Sequence, residues 1–310
     1  MSKKRRSAYW IAMWTLIVTP ASPRPAVAQD RWFPSEAYFT RPQAAPREPT
    51  FALRGLWTDL LEVRGTPRER APFDLQEPAE ELRREAQGEV VLGGNVRLWR
   101  AASWRGGGMT VGLSSAVFGR FRLEASSNDL MATDWVVAMP FEARRGAWSG
   151  RFQIMHWSAH LGDELIQKAG AERADFTHNG LSLLLARDLG SVRVYGGASR
   201  LSRATLEGDD PLPADFTDRA TVQFGADGVW SPWKSLLQLE AGIDYQATDR
   251  TDWTGQWSLI GGIRVQDGNR AVQLRGMLLD GPSTLGQFFW TEERAWGFEL
   301  VIALSPSGLA

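Results

Sequence analysis

The sequence predicts an all-β protein, a closed antiparallel transmembrane β-barrel of about twelve strands. Three observations predict it. Runs of roughly ten residues alternate between apolar and polar side chains, the period of a strand with two different faces. The connections between these runs alternate between short and long, as in barrels with tight turns at one rim and loops at the other. No run beyond the N-terminus approaches the ~18 consecutive apolar residues of a membrane-spanning helix.

The elements follow in chain order. Lys3 to Arg6 are positive, Ala8 to Val18 are apolar, and Ala26-Val27-Ala28 is a small-x-small pattern. Together they predict a signal peptide over residues 1–28, and hence export. Residues 29–49, ending in "RPQAAPREP", read as a proline-rich extended lead-in. Thr50 to Leu61 is the first strand, outward-running, and Glu62 to Gln87 an outer loop whose "PAEELRREAQ" is a solvated charged stretch.

Eleven further strands follow from about Glu89. In "DWVVAMPFEA", Trp135, Val137, Met139 and Phe141 share a face opposite Asp134 and Glu142. In "SLLQLEAGIDYQA", Leu239, Ile243 and Tyr245 oppose Gln238, Glu240 and Asp244, and "TGQWSLIGGIRVQ" sets Trp257, Leu259 and Ile263 against Ser258 and Arg264. "WGFELVIAL" sets Trp296, Phe298 and Ile302 against Gly297 and Glu299. A polar face rich in glycine and charge suits a crowded or wet lumen, and aromatics near strand ends suit the two membrane interfaces. Arg120, Arg122, Arg144, Arg193, Arg264 and Arg275 fall mostly on polar faces, where they serve a lumen charge network or the passage of anions.

Short connections near Arg145–Ala147, Asp188–Gly190, Ser231–Lys234 and Asp267–Asn269 alternate with longer ones at Gly162–Phe176, Leu206–Asp218, Asp249–Thr254 and Gly281–Arg294. Twelve strands bring both ends of the barrel, residues 50–304, to the periplasmic rim. Residues 305–310, "SPSGLA", are a tail without a terminal aromatic.

Composition narrows the function. A net charge of −1, with no basic block after residue 6, leaves no electrostatic footprint for nucleic acid. The absence of cysteine excludes a disulfide framework, a cysteine-ligated iron–sulfur cluster and a thiol nucleophile. "RGGG" at 105–108 lacks the lysine-serine pair of a phosphate loop and reads as a turn. The acidic stretch Leu206–Asp218 lacks the ligand order of a calcium loop and reads as a solvated loop.

Ile154–Leu165, "IMHWSAHLGDEL", holds two of the three histidines at the outer end of a strand. His156 and Ser158 share a face at about 6.7 Å between Cα atoms, within reach of a hydrogen bond if the side chains lean together. Serine needs a base to become a nucleophile, and a base needs an orienting group. Ser158 is then the nucleophile, His156 the base, and Asp163 or Glu164 the orienting acid. By parity the pair faces lipid with Phe152 and Ile154, unless a bulge near Met155 turns it inward. A metal reading takes other residues. His156 and His160 lie about 13 Å apart along a strand and cannot share an ion. His160, Asp163, Glu164 and His178 can be gathered across the hairpin, and carboxylates there would suit calcium. No other cofactor is expected.

Two resemblances add to this. His-x-Ser on an outward-running strand resembles the outer-membrane lipid hydrolases phospholipase A and the lipid A deacylase, which implies an esterase acting on outer-leaflet lipid. Only His156 and Ser158 carry over, and Ala159 stands where those enzymes have asparagine. "HWSAHLGDEL", then "RADFTHNGLSLLLARDLGSVRVYGG", and the "PREP" of the lead-in resemble the exported, barrel-like family known as domain of unknown function 1207. That resemblance implies fold and location and no activity. The expected protein is therefore an outer-membrane barrel, structural or a narrow pore. A lipid esterase or a rim site for a metal or ligand is the alternative. Its expected partners are outer-membrane lipids and the barrel assembly machinery, with no oligomeric state predicted.

Overall fold

The computed structural model describes residues 32–62, 85–104, 107–125, 127–164, 175–206, 210–211, 219–232, 236–267, 270–288 and 291–303. The predicted signal peptide 1–28, the tail 305–310 and most of the stretches 62–87 and 206–218 lie outside them.

Twelve strands form the wall: β1 (Phe51–Glu62), β2 (Glu85–Trp104), β3 (Gly107–Arg122), β4 (Leu130–Arg145), β5 (Trp148–Leu161), β6 (Asp175–Leu189), β7 (Val192–Leu206), β9 (Arg219–Trp230), β10 (Leu237–Thr248), β11 (Gly255–Asp267), β12 (Arg270–Pro282) and β13 (Thr291–Ala303). A two-residue strand, β8 (Asp210–Pro211), pairs with the end of β7. Each wall strand pairs antiparallel with its neighbours in sequence, and β1 pairs with β13 from Phe51↔Ile302 to Glu62↔Thr291. The ring is closed, so the wall has no free edge strand to manage. Tight turns at Gly146 (φ 57°) and Gly190 (φ 72°) use the left-handed backbone that glycine adopts without cost.

The alternation sorts as the sequence predicts. Trp135, Val137, Leu239, Leu259, Trp296 and Phe298 are exposed on the outer surface, while Asp134, Glu240, Asp244, Arg264 and Glu299 are buried within. Aromatic side chains pair across neighbouring strands of that surface, at mid-strand as well as near strand ends. Trp57 stacks on Trp296 at 4.7 Å between ring centroids, and Phe224, Tyr245 and Trp257 form a chain at 4.7 and 4.5 Å. An apolar outer surface is what a bilayer requires.

The lead-in does not simply precede the barrel. Trp32 bridges Trp99 on β2, and from Tyr38 the chain runs inside the lumen before returning to start β1 at Phe51. Residues 42–46, 48 and 50 are buried. Phe39 packs with Leu184, Ala186 and Tyr195, and Ala44 with Leu56, Ile260 and Met277. The ring of Tyr38 lies where a Cβ on Gly108 would be, at 2.1 Å. The "RGGG" stretch thus ends in a seat for this inner loop.

Candidate functional site

The inner loop is held by charge. The guanidinium of Arg193 donates to both oxygens of Asp227 (3.1 and 2.6 Å) and to the backbone carbonyls of Thr40 and Arg41. The amide of Gln43 also donates to Asp227, at 3.1 Å. At the tip, Arg47 donates to Asp134 at 2.7 Å, and Arg151 grips Glu48 with two nitrogens. Burial pushes the Glu48 carboxyl up, but the adjacent Arg151 guanidinium outweighs it and holds the group below its ordinary range. Other buried charges tie wall to wall. Arg120 meets Glu89 at 3.0 Å and Glu293 at 2.8 Å, and Arg54 joins Glu89 to Glu299 across the β1–β13 seam. Buried ions survive in a low-dielectric interior only with such partners.

Among the described residues, two cavities border the loop. Towards the rim that bears the long connections is a cup of about 280 Å³, with Pro46, Arg47 and Glu48 as its floor. Its walls come from β5, β6, β7, β9, β10 and β11, and residues 282–286 close over part of its mouth. Gly286 donates its amide to Asp134 at 2.9 Å and fixes that closure. Towards the other rim is a chamber of about 630 Å³ lined by Arg41, Arg97 and Arg264 among others.

The outer wall carries the histidine–serine stretch. β5 pairs in unbroken register with β4 and β6, so no bulge at Met155 turns it. His156 is exposed, and Ser158 and His160 are half-exposed on the same face. The structure pairs Ser158 Oγ with His160 Nε2, at 3.2 Å. His156 Nδ1 lies 2.9 Å from Oδ1 of Asn179, its cross-strand neighbour on β6. Asn179 went unremarked in the sequence because only the β5–β6 register places it there. Asp163 and Glu164 follow β5 on an exposed helical turn.

His178 is buried on the lumen side, stacked on Trp157 at 6.1 Å. It and His160 therefore lie on opposite faces of the wall. Among the described residues, no three histidine or acidic side chains gather as a metal site.

A family model described as "Protein of unknown function (DUF1207)" matches residues 77–302. The inner loop lies outside that match. No curated protein matches the chain in sequence. Among solved structures, the outer membrane phospholipase A of Escherichia coli is 13% identical, covering 84% of this chain and 94% of its own, with a TM-score of 0.49. The β-domain of the Bordetella autotransporter BrkA is 12% identical, covering 83% and 99%, at 0.44. The transport unit of the E. coli autotransporter AIDA-I is 11% identical, covering 86% and 93%, at 0.47. All three are bacterial outer-membrane barrels.

Proposed function

The chain belongs to this DUF1207 family, and from that premise we propose that it is an outer-membrane barrel closed by its own inner loop, and so a structural or ligand-holding protein instead of a pore. One observation carries this reading. Residues 39–48 occupy the middle of the lumen, with Phe39 and Ala44 packed into apolar clusters of the wall. Arg151 on β5 and Arg193 on β7 bind the same segment to one side of the wall, and Arg275 on β12 donates to the carbonyl of Gln43 from across the barrel. Assembly into the membrane by the barrel machinery, after removal of a signal peptide at residues 1–28, belongs to the same reading.

The test uses the absence of native cysteine. A Cβ on Gly242 would lie 3.3 Å from that of Ala44, a few tenths inside the ~3.5–4.5 Å that a disulfide spans. The pair Ala44→Cys and Gly242→Cys should cross-link on oxidation. The wild-type protein should give no steady conductance in planar bilayers. A steady open current from wild type would refute closure.

A second reading is favoured by the pairing of His156 with Asn179. An amide that accepts from Nδ1 fixes the tautomer and leaves Nε2 as a base. Ser158 follows two residues later, and His160 already touches its hydroxyl. In this reading the group meets the acyl esters of outer-leaflet lipid. The reading is an esterase with Ser158 as nucleophile, a flanking histidine as base and Asn179 as orienting group in place of Asp163 or Glu164. Lipid profiling of outer membranes carrying wild type or Ser158→Ala, at matched protein levels, decides it. Acyl release should vanish in the variant, and equal release in both retires Ser158.

A further inference from the structure

We propose that the cup above the inner loop is a binding site for a neutral saccharide. The first argument is charge. Both ionic groups on its floor are already matched within the protein: Arg47 by Asp134 and Glu48 by Arg151. The floor therefore offers no unmatched charge to an ionic ligand.

The second argument is the kind and setting of the wall residues. Gln153, Gln223, Gln246 and Gln256 line one cavity, accompanied by a girdle of serines and threonines. Three of these amides are fixed from behind. Gln223 and Gln246 donate to the two oxygens of Asp244, at 2.7 and 2.8 Å, and Gln256 donates to the carbonyl of Pro282 at 2.6 Å. Each spends an N–H on the protein and keeps its carbonyl oxygen as an acceptor. Tyr195 also donates to Asp244, at 2.7 Å, so a buried carboxylate with three donors acts as the anchor for two wall amides. Side chains locked in this way lose little entropy when a ligand arrives. Fixed carbonyl oxygens ask for hydroxyl donors.

The third argument is an incomplete donor set. Trp157 lines the cup and is held in a ladder of parallel rings, 6.0 Å from Phe118 and 6.1 Å from His178. Its indole N–H is buried and has no acceptor among the described residues; the same holds for Nε of Arg151, another lining residue. A buried donor left unpaired costs about 1–3 kcal/mol, a cost that a ligand hydroxyl would remove once a small shift of the side chain opens the N–H to the cup. Met155 and Leu201 add apolar contact. Paired acceptors, spare donors and an apolar flank match the two-sided chemistry of a sugar ring, whose hydroxyls both donate and accept.

The saccharide can reach the cup free from solution or as the head of an outer-leaflet glycolipid. The full-length protein in detergent is titrated calorimetrically with glucose, maltose and sucrose. It is also mixed with vesicles of phosphatidylcholine containing a monoglucosyl lipid, against vesicles without it. Saturable binding of a neutral sugar in either arm is expected, and the arm that responds names the source. Trp157→Phe keeps the ring ladder but removes the N–H, and should weaken binding about tenfold, ~1.4 kcal/mol. Gln256→Leu should act in the same direction while leaving Asp244 undisturbed. Folding of each variant is checked by heat-modifiable mobility on gels. Folded wild type that binds none of these probes overturns the proposal. So does binding that both variants leave unchanged, or a site that takes glucose 6-phosphate in preference to glucose.

Discussion

Arg120 and Arg193 are both buried to 1% exposure or less, yet they hold different things. Among the described residues, every partner of Arg120 is a wall side chain: Gln87 and Glu89 on β2, and Glu293 on β13. It ties β3 to the strands flanking β1, where the two ends of the barrel meet. Arg193 divides its donors between Asp227 on the wall and two carbonyls of the inner loop. Arg120 serves the closure of the ring, and Arg193 serves the filling of it. The interior is therefore two structures in one volume, a wall that satisfies its own charges and a loop that completes the remainder.

The largest effect should come from breaking the first. Arg120→Leu leaves Glu89 and Glu293 buried without that cation, and should cost roughly 3–5 kcal/mol. Urea unfolding of the detergent-solubilised barrel measures it. An Arg120→Leu barrel as stable as wild type would show that the seam does not depend on this network. Arg193→Lys keeps a charge for Asp227 but loses the planar fork that reaches both carbonyls. About 1–3 kcal/mol should be lost, and lost locally. Amide exchange in residues 38–49 should rise more than tenfold while the urea midpoint moves less than for Arg120→Leu. Equal loss in both measurements would mean that wall and loop unfold as one.

The same division explains what the sequence revealed. Twelve strands, their faces and the buried positions of Arg120, Arg193, Arg264 and Arg275 follow from a period of two, because a strand whose faces meet lipid and lumen writes both into the chain. The inner loop did not follow. "RPQAAPREP" has no period, and proline there reads equally well as a linker. Its partners lie far off in sequence, 103 positions for Glu48 and Arg151 and 184 for Gln43 and Asp227, so nothing local marks them. Asn179 was missed for a related reason. A cross-strand pair is set by register, and the register of β5 with β6 spans a connection whose length fixes no alignment. The orientation of His156, by contrast, needed only parity and an unbroken strand.

Acid should separate loop from wall more finely than mutation. Glu48 is held below its ordinary range inside the barrel, so it contributes stability that is present above its unfolded value of about 4.3 and is lost as the pH falls through the folded one. Protection of residues 38–49, corrected for intrinsic exchange, should hold from neutral pH down to that value and decline below it. Glu48→Gln should remove this acid dependence and lower protection at neutral pH. A wild-type profile identical to the variant's would mean that the Arg151 pair adds nothing to loop retention. The smallest effect belongs to the pair Arg294–Asp280, at 3.2 Å but 67% and 56% exposed. Solvent screens such ions, so Asp280→Asn should change stability by under about 1 kcal/mol. That is also the scale against which the other losses are read. If this exposed pair cost as much as Arg120, burial would not be what gives the interior charges their weight, and the contrast between wall and loop would rest on packing alone.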